Sequence, residues 1–365
     1  MKDSITLAVT AFLLGCVPVR LAARGIQPDP ALADLQAALD LNRRGEYREA
    51  LQKYRALLSN ASVNLNPQLH AYILQQMADA DNGLGDYAKG EGKAREALRI
   101  LAGANDRNTS VFAVAEGVLA DALVGEGNYL GARETADQAV SLGKKTISAR
   151  APGFGVLLIT LAHTLEVQGE RRRPLKLYQR AVGIMEKAGD GSRIELGGAY
   201  LDLAGAYLAN GKAKKALELV ASARAAWKQV LPSNNPFTVY ALSVEMLGYK
   251  KLKAYREAEA LIPETLEVGL SQLGPSHPDR VILLDIAASV YVAQKKYGLA
   301  APLLKQGVEL SKRLFRLGNP VCRIVLANYS HVLAELGRTE EASRVRAESE
   351  VLLIFPEREQ VPGVR

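Results

Sequence analysis

Two cysteines, Cys16 and Cys322, are all that 365 residues contain. They stand at opposite ends, so neither a disulfide framework nor a paired-cysteine metal site follows from them. The four histidines are His70, His163, His277 and His331; none has the partner one helical turn away that a helical zinc site requires, and no metal is expected. Aromatic residues make up 6% of the chain, mostly tyrosine, with Trp227 the single tryptophan. Without an aromatic and basic stripe on which bases would stack, nucleic acid is not expected as a partner. No glycine-rich phosphate loop, nucleophile elbow or catalytic pair of carboxylates stands out. No catalytic residue and no cofactor is therefore assigned, and the chain reads as non-enzymatic.

What is abundant favours helix. Hydrophobic residues make up 48% of the chain and charged residues 23%, enough apolar surface for an ordered core. The 46 basic and 39 acidic residues leave a net charge of +7, spread too widely to name a partner.

The N-terminus reads as an address. Ile5 to Val19 is uncharged and mostly apolar, too short to span a bilayer comfortably and suited to the apolar core of a signal peptide. Within it, Leu13-Leu14-Gly15-Cys16 resembles the bacterial lipobox. That resemblance implies a lipidated Cys16 and an exported chain held in the cell envelope by its anchor. An ordinary secretory signal, or a short helix of a cytoplasmic protein, are the alternatives. The division is then 1–20 as signal, 21–30 as tether, 31–351 as repeats and 352–365 as tail.

Self-similarity governs the rest. Gly45-Glu46-Tyr47 recurs as Gly85-Asp86-Tyr87 and Gly127-Asn128-Tyr129, and in looser form from Gly169, Gly211, Lys253, Lys295 and Gly337. These eight anchors lie 40 and then six times 42 residues apart. Seven residues before them stand Ala38, Ala78, Ala120, Ala162, Ala204, Met246, Ala288 and Ser330. Five after them stand Ala50, Gly90, Ala132, Pro174, Ala216, Ala258, Ala300 and Ala342. Small residues at these places let two helices of a hairpin cross closely. The anchor glycine supplies the left-handed residue that ends a helix, and the tyrosine two places on is read as a wedge between the hairpin's helices. Pro236, Pro278 and Pro320 are 42 apart and read as first helical residues, with Asn235 and Asn319 as caps.

These features resemble the tetratricopeptide repeat (TPR), over roughly Ala31 to Val351. Links such as Leu273-Gly274-Pro275-Ser276-His277-Pro278 and the 42-residue period are similar to the kinesin-light-chain subclass. The resemblance implies an all-α, right-handed solenoid of about eight helix-turn-helix repeats, a scaffold that holds a protein partner, a peptide or helical segment, on its concave face. It places Asp121, Ile159, His163, Glu166, Leu201, Asp202, Tyr240, Lys250, Asp285, Ser289, Asn328 and His331 on that face. Cations near the turns, among them Lys212, Lys214, Lys215, Lys250, Lys251 and Lys253, complement helix ends; lined up as a ridge, they are also a place for an anionic partner. Trp227 is read as packing. The alternative to an exported scaffold is a cytoplasmic regulatory or sensor protein of the same fold, with a glycan-active enzyme on a helical scaffold further off.

Overall fold

The computed structural model describes residues 30–60, 63, 66–189, 193–228, 230–232, 235–275, 277–315 and 319–354. The signal-like segment with Cys16, and the tail beyond 354, lie outside the described residues. The chain divides into two compact units, Met1–Phe237 and Thr238–Arg365.

In the first unit, five hairpins follow one another. They are α1 (Pro30–Arg43) with α2 (Tyr47–Leu58), α3 (Pro67–Gly83) with α4 (Tyr87–Gly103), and α5 (Ser110–Glu126) with α6 (Tyr129–Thr146). After them come α7 (Pro152–Val167) with α8 (Arg172–Met185), and α9 (Arg193–Ala209) with α10 (Ala213–Trp227). The second unit, which begins one residue into α11 (Phe237–Lys251), holds the rest of that helix with α12 (Tyr255–Ala260) and α13 (Ile262–Leu273), α14 (Asp279–Ala293) with α15 (Tyr297–Leu314), and α16 (Pro320–Glu335) with α17 (Thr339–Ile354). Every regular element among the described residues is helical, and none of these helices is long and apolar enough to cross a membrane.

The anchors fall where the period places them. Gly45, Gly85, Gly127, Gly169, Gly211 and Gly337 all have φ between 75° and 88°, and Lys253 and Lys295 adopt 61° and 59° without glycine's freedom. At each anchor the next amide reaches back to the carbonyl five residues earlier. Glu46 N donates to Leu41 O at 2.9 Å, Lys212 N to Tyr207 O at 2.8 Å and Arg338 N to Leu333 O at 3.0 Å. This bond stops the first helix and turns the chain.

Close crossing follows from the small residues. Ala38, Ala78, Ala120, Ala162, Ala204 and Ala288 are fully buried, as are Ala50, Ala132, Ala216, Ala258 and Ala300. A Cβ at Gly90 would stand 2.0 Å from Asn82 Oδ1 and 3.1 Å from the Ala78 carbonyl, so the two helices meet almost at backbone distance there. Met246, the exception in the sequence, is equally buried and packs with Ala258 and Ile262.

A hairpin cannot bury its apolar face alone, and neighbours share the work. Leu39, Leu51 and Tyr54 of the first hairpin join Ile73 and Met77 of the second; Leu157 and Leu161 of the fourth join Ala136 and Val140 of the third. In the second unit Val281 and Ala288 join Leu304, Val325 and Leu333. Each fully buried Leu or Ile contributes about 1.5–3 kcal/mol.

Four expectations are corrected. The rings of Tyr47 and Tyr87 lie against the following hairpin, where a Cβ on Gly83 or Gly125 would come within 2.4 or 2.3 Å of them, so these tyrosines wedge between repeats. Pro320 is a first-turn proline with Asn319 as cap, accepting from Val321 N at 2.9 Å, but Pro278 is itself the N-cap of α14 and Pro236 precedes α11. Asn235 does not cap: its Nδ2 donates to Pro232 O at 2.7 Å and its Oδ1 is buried without a partner. Asn66 takes the role instead ahead of Pro67, accepting from Leu69 N at 3.1 Å. Finally, the second helix of the sixth hairpin is interrupted after Ala260, next to Pro263, whose missing N–H cannot continue the ladder.

Candidate functional site

Within the first unit the hairpins curl. Arg43 Nε, at the end of α1, stands 3.5 Å from Glu195 Oε1 in the first turn of α9, four hairpins along. Helices stacked in a straight row at 8–10 Å each would hold these groups about 40 Å apart. The curl turns one face of the first helices inward. Asp79 on α3, Asp121 on α5, Glu166 on α7 and Asp202 on α9 sense one another there: the charge of Asp79 and of Asp202 raises the pKa of Asp121, and that of Glu166 raises Asp202.

Burial is the larger cause. Desolvation by the surrounding hairpins pushes Asp121 and Asp202 up to about 7, and raises Asp79 and Glu166 as well. The donors these carboxylates find are neutral. Asn42 Nδ2 donates to Asp79 at 2.8 Å, Thr160 Oγ1 to Asp121 at 3.1 Å, and Tyr178 Oη to Glu166 at 3.1 Å. Tyr178 is held well above the usual phenol range, first by burial and then by the charges of Asp202 and Glu166. The nearby cations are engaged otherwise: Arg43 with Asp40 and Glu195, Arg171 with the Ala209 carbonyl, and Lys93 with the buried Asp81.

Of the residues assigned to the concave face, Asp121, Glu166 and Asp202 are thus brought together, and His163 is exposed on the same helix as Glu166. Leu201 is buried, and Ile159 packs half-buried against two core clusters. In the second unit Lys250 Nζ donates to Ser289 at 2.7 Å and Asn328 Nδ2 to Asp285 at 2.7 Å. Burial lowers the pKa of Lys250 and raises that of Asp285. Tyr240 Oη donates to Asp279 at 2.6 Å, and His331 meets Tyr297 edge-on at 6.3 Å. His277 is buried in its link and accepts from Asp279 N at 3.1 Å.

The ridge cations have local contacts. Lys212 and Lys215 stand over the Tyr207 ring at 5.8 and 5.7 Å, Lys296 pairs with Glu259 at 2.6 Å, and Lys250 faces Ser289. Lys214, Lys251 and Lys253 are exposed. Trp227 is buried, donates to the Ile194 carbonyl at 3.0 Å and stacks on Phe237 at 5.5 Å. No group of three or more histidine, cysteine or acidic residues placed to hold a metal occurs among the described residues.

No protein-family model matches the chain, and no curated protein matches it. Its similarity is to solved structures. The APC/C hetero-tetramer Cut9-Hcn1 is 14% identical at a TM-score of 0.61, over 96% of this chain and 57% of that one. Rap protein complexed with competence and sporulation factor is 13% identical at 0.56, over 87% and 76%. The fold is that of the TPR-like solenoids. A kinesin-light-chain structure with TPR-like repeats from Podosopora anserina is 21% identical over 55% of this chain and 96% of its own, at a TM-score of 0.43.

Proposed function

We propose that this TPR-like chain is a non-enzymatic scaffold that holds a peptide or helical segment of a partner protein on the inner face of its first unit. The observation that carries this reading is the row of carboxylates on successive first helices, Asp121, Glu166 and Asp202 half-buried and Asp79 exposed beside the buried Asn42, whose hydrogen-bond donors are neutral side chains where they have any. Burying ionisable groups without cations costs stability, so such a row is a candidate for function. Solved relatives in fold support it: one is complexed with a competence and sporulation factor, another is a hetero-tetramer. The kinesin-light-chain subclass is proposed on the 42-residue period and its links.

The test is capture from native extract by the purified chain, compared with Asp121→Arg/Asp202→Arg and with Lys144→Glu/Lys145→Glu in the last turn of α6. A partner retained by the second variant and lost by the first is expected. A partner held equally by all three would place binding elsewhere.

We propose further that the chain is exported and lipid-anchored through Cys16, on the lipobox-like Leu13-Leu14-Gly15-Cys16. A fatty-acid probe should label the wild type and not Cys16→Ser. An intact Met1 in the native protein would support the cytoplasmic alternative.

A further inference from the structure

We infer that the segment held in the first unit is cationic, a stretch of chain that presents lysine or arginine side chains to Asp79, Asp121 and Asp202. This rests on the scaffold reading above and names the chemistry of its occupant.

Charge complementarity is the first argument. Carboxylates from four consecutive hairpins lie within electrostatic reach of one another, Asp79 and Asp202 acting on Asp121 and Glu166 on Asp202, and among the described residues none of them forms an ion pair, Arg171 acting on Glu166 only from a distance. Asp202 has no hydrogen-bond or ion-pair partner at all there. A guanidinium or ammonium group brings several N–H donors and a full charge to such oxygens, which no neutral side chain does.

A second observation is independent of the acids. Asn42 is 5% exposed, and its Nδ2 is bonded to Asp79, which leaves Oδ1 buried beside that carboxylate without a donor. Tyr54, fully buried, is near enough to Asp79 for that charge to disfavour its ionisation, and its hydroxyl also has no partner. A buried polar atom left unpaired costs about 1–3 kcal/mol. An unpaired acceptor next to a carboxylate whose one donor is a neutral amide is an arrangement that a cationic donor completes. The chain shows the same chemistry at the rim, where its own Arg43 bridges Asp40 and Glu195 at 3.9 and 3.5 Å.

The positions are spaced for an extended ligand. Each carboxylate comes from a successive hairpin, so an extended chain running along the face, at about 3.3 Å per residue, meets one roughly every third residue. The natural occupant is therefore a basic segment with cations at alternating or every third position, and a polyacidic one is repelled.

The experiment uses fluorescein-labelled peptides of ten residues, one alternating Arg and Ala, the other Glu and Ala, read by fluorescence anisotropy against the full chain. Asp79→Asn/Asp121→Asn/Asp202→Asn is compared with Glu49→Gln/Glu96→Gln/Glu134→Gln, which removes the same charge from exposed sites on the second helices. The basic peptide should bind the wild type and the second variant alike, and at least tenfold more weakly to the first; the acidic peptide should not bind. Circular dichroism confirms folding, and Asp121→Asn/Asp202→Asn stands in if the triple variant unfolds. Absence of saturable binding to the wild type, an equal loss in both variants, or binding of the acidic peptide would overturn the inference. Groove-dependent capture of a partner whose bound segment is neutral or acidic would remove this inference and leave the scaffold reading in place. Capture that ignores the groove removes the scaffold reading itself.

Discussion

Thr160 on the fourth hairpin donates its hydroxyl to the carboxylate of Asp121 on the third, at 3.1 Å. The same kind of bond joins Asn42 to Asp79 and Asn328 to Asp285, always between the first helices of adjacent hairpins. Thr160→Val removes the one hydrogen bond that lowers the pKa of Asp121 and leaves a half-buried acid unsatisfied. A loss of about 1 kcal/mol at pH 8 is expected by urea denaturation, with a smaller loss at pH 5 where the acid is protonated.

Asp121 and Asp202 also set a pH dependence. Their folded-state pKa near 7 lies above the ordinary carboxylate value of 3.8, so between those pH values the folded chain binds more protons than the unfolded one. Their contribution to stability therefore falls as pH rises across that window. Asp121→Asn, which keeps an acceptor for Thr160, should stabilise the chain by about 1 kcal/mol at pH 8 and by nothing at pH 4. Equal effects at both pH values would contradict the raised pKa.

Binding of the basic peptide should follow the opposite course. Asp79 and Asp202 act on Asp121 and Glu166 acts on Asp202, with Tyr178 and Thr160 as neutral neighbours, His163 on the same helix as Glu166, and Arg171 near Glu166. A cationic ligand favours the ionised acids, so affinity should rise severalfold from pH 6 to pH 8 and binding at pH 7 should release protons. Calorimetry in buffers of different ionisation enthalpy measures the release. Retention of the rise in His163→Asn separates the carboxylates from the imidazole.

At the turns, Lys253 and Lys295 occupy left-handed backbone that six glycines occupy elsewhere. Lys253→Gly and Lys295→Gly should each raise stability by about 0.5–1 kcal/mol, and Gly85→Ala should lower it by about 1–2 kcal/mol. Thermal denaturation of the three variants checks both signs.

Trp227→Ala removes a buried ring, its bond to Ile194 and its stack on Phe237. A loss of about 3–5 kcal/mol is expected from chemical denaturation.

The eight turns were legible because one backbone conformation recurs at a fixed interval and leaves glycine, or a register position, as its mark. Lys253 and Lys295 were found by register alone. The inner face was legible only in part. Repeat positions distinguish sides of a helix, but not burial: Leu201 is buried and Ile159 packs half-buried against two core clusters. Asp79, Asn42, Thr160, Tyr178 and Tyr54 were missed because nothing local links them. Asp79 and Asp121 share a place six residues before their anchors, and that was the available signal; Glu166 and Asp202 stand at other offsets, and only the curl brings them alongside. Asn235 failed as a cap because its amide turned back to Pro232.

The bridge from Arg43 to Glu195 has a companion, since a Cβ on Gly45 would stand 2.9 Å from Pro236. Repeat arrays usually fray from their ends, because each module is held by its neighbours alone. Here the first turn is also clasped by the fifth hairpin and the link that follows it. The first hairpin is then not a loose cap but a keystone, and its amides should exchange with solvent as slowly as those of the modules in the middle of the row.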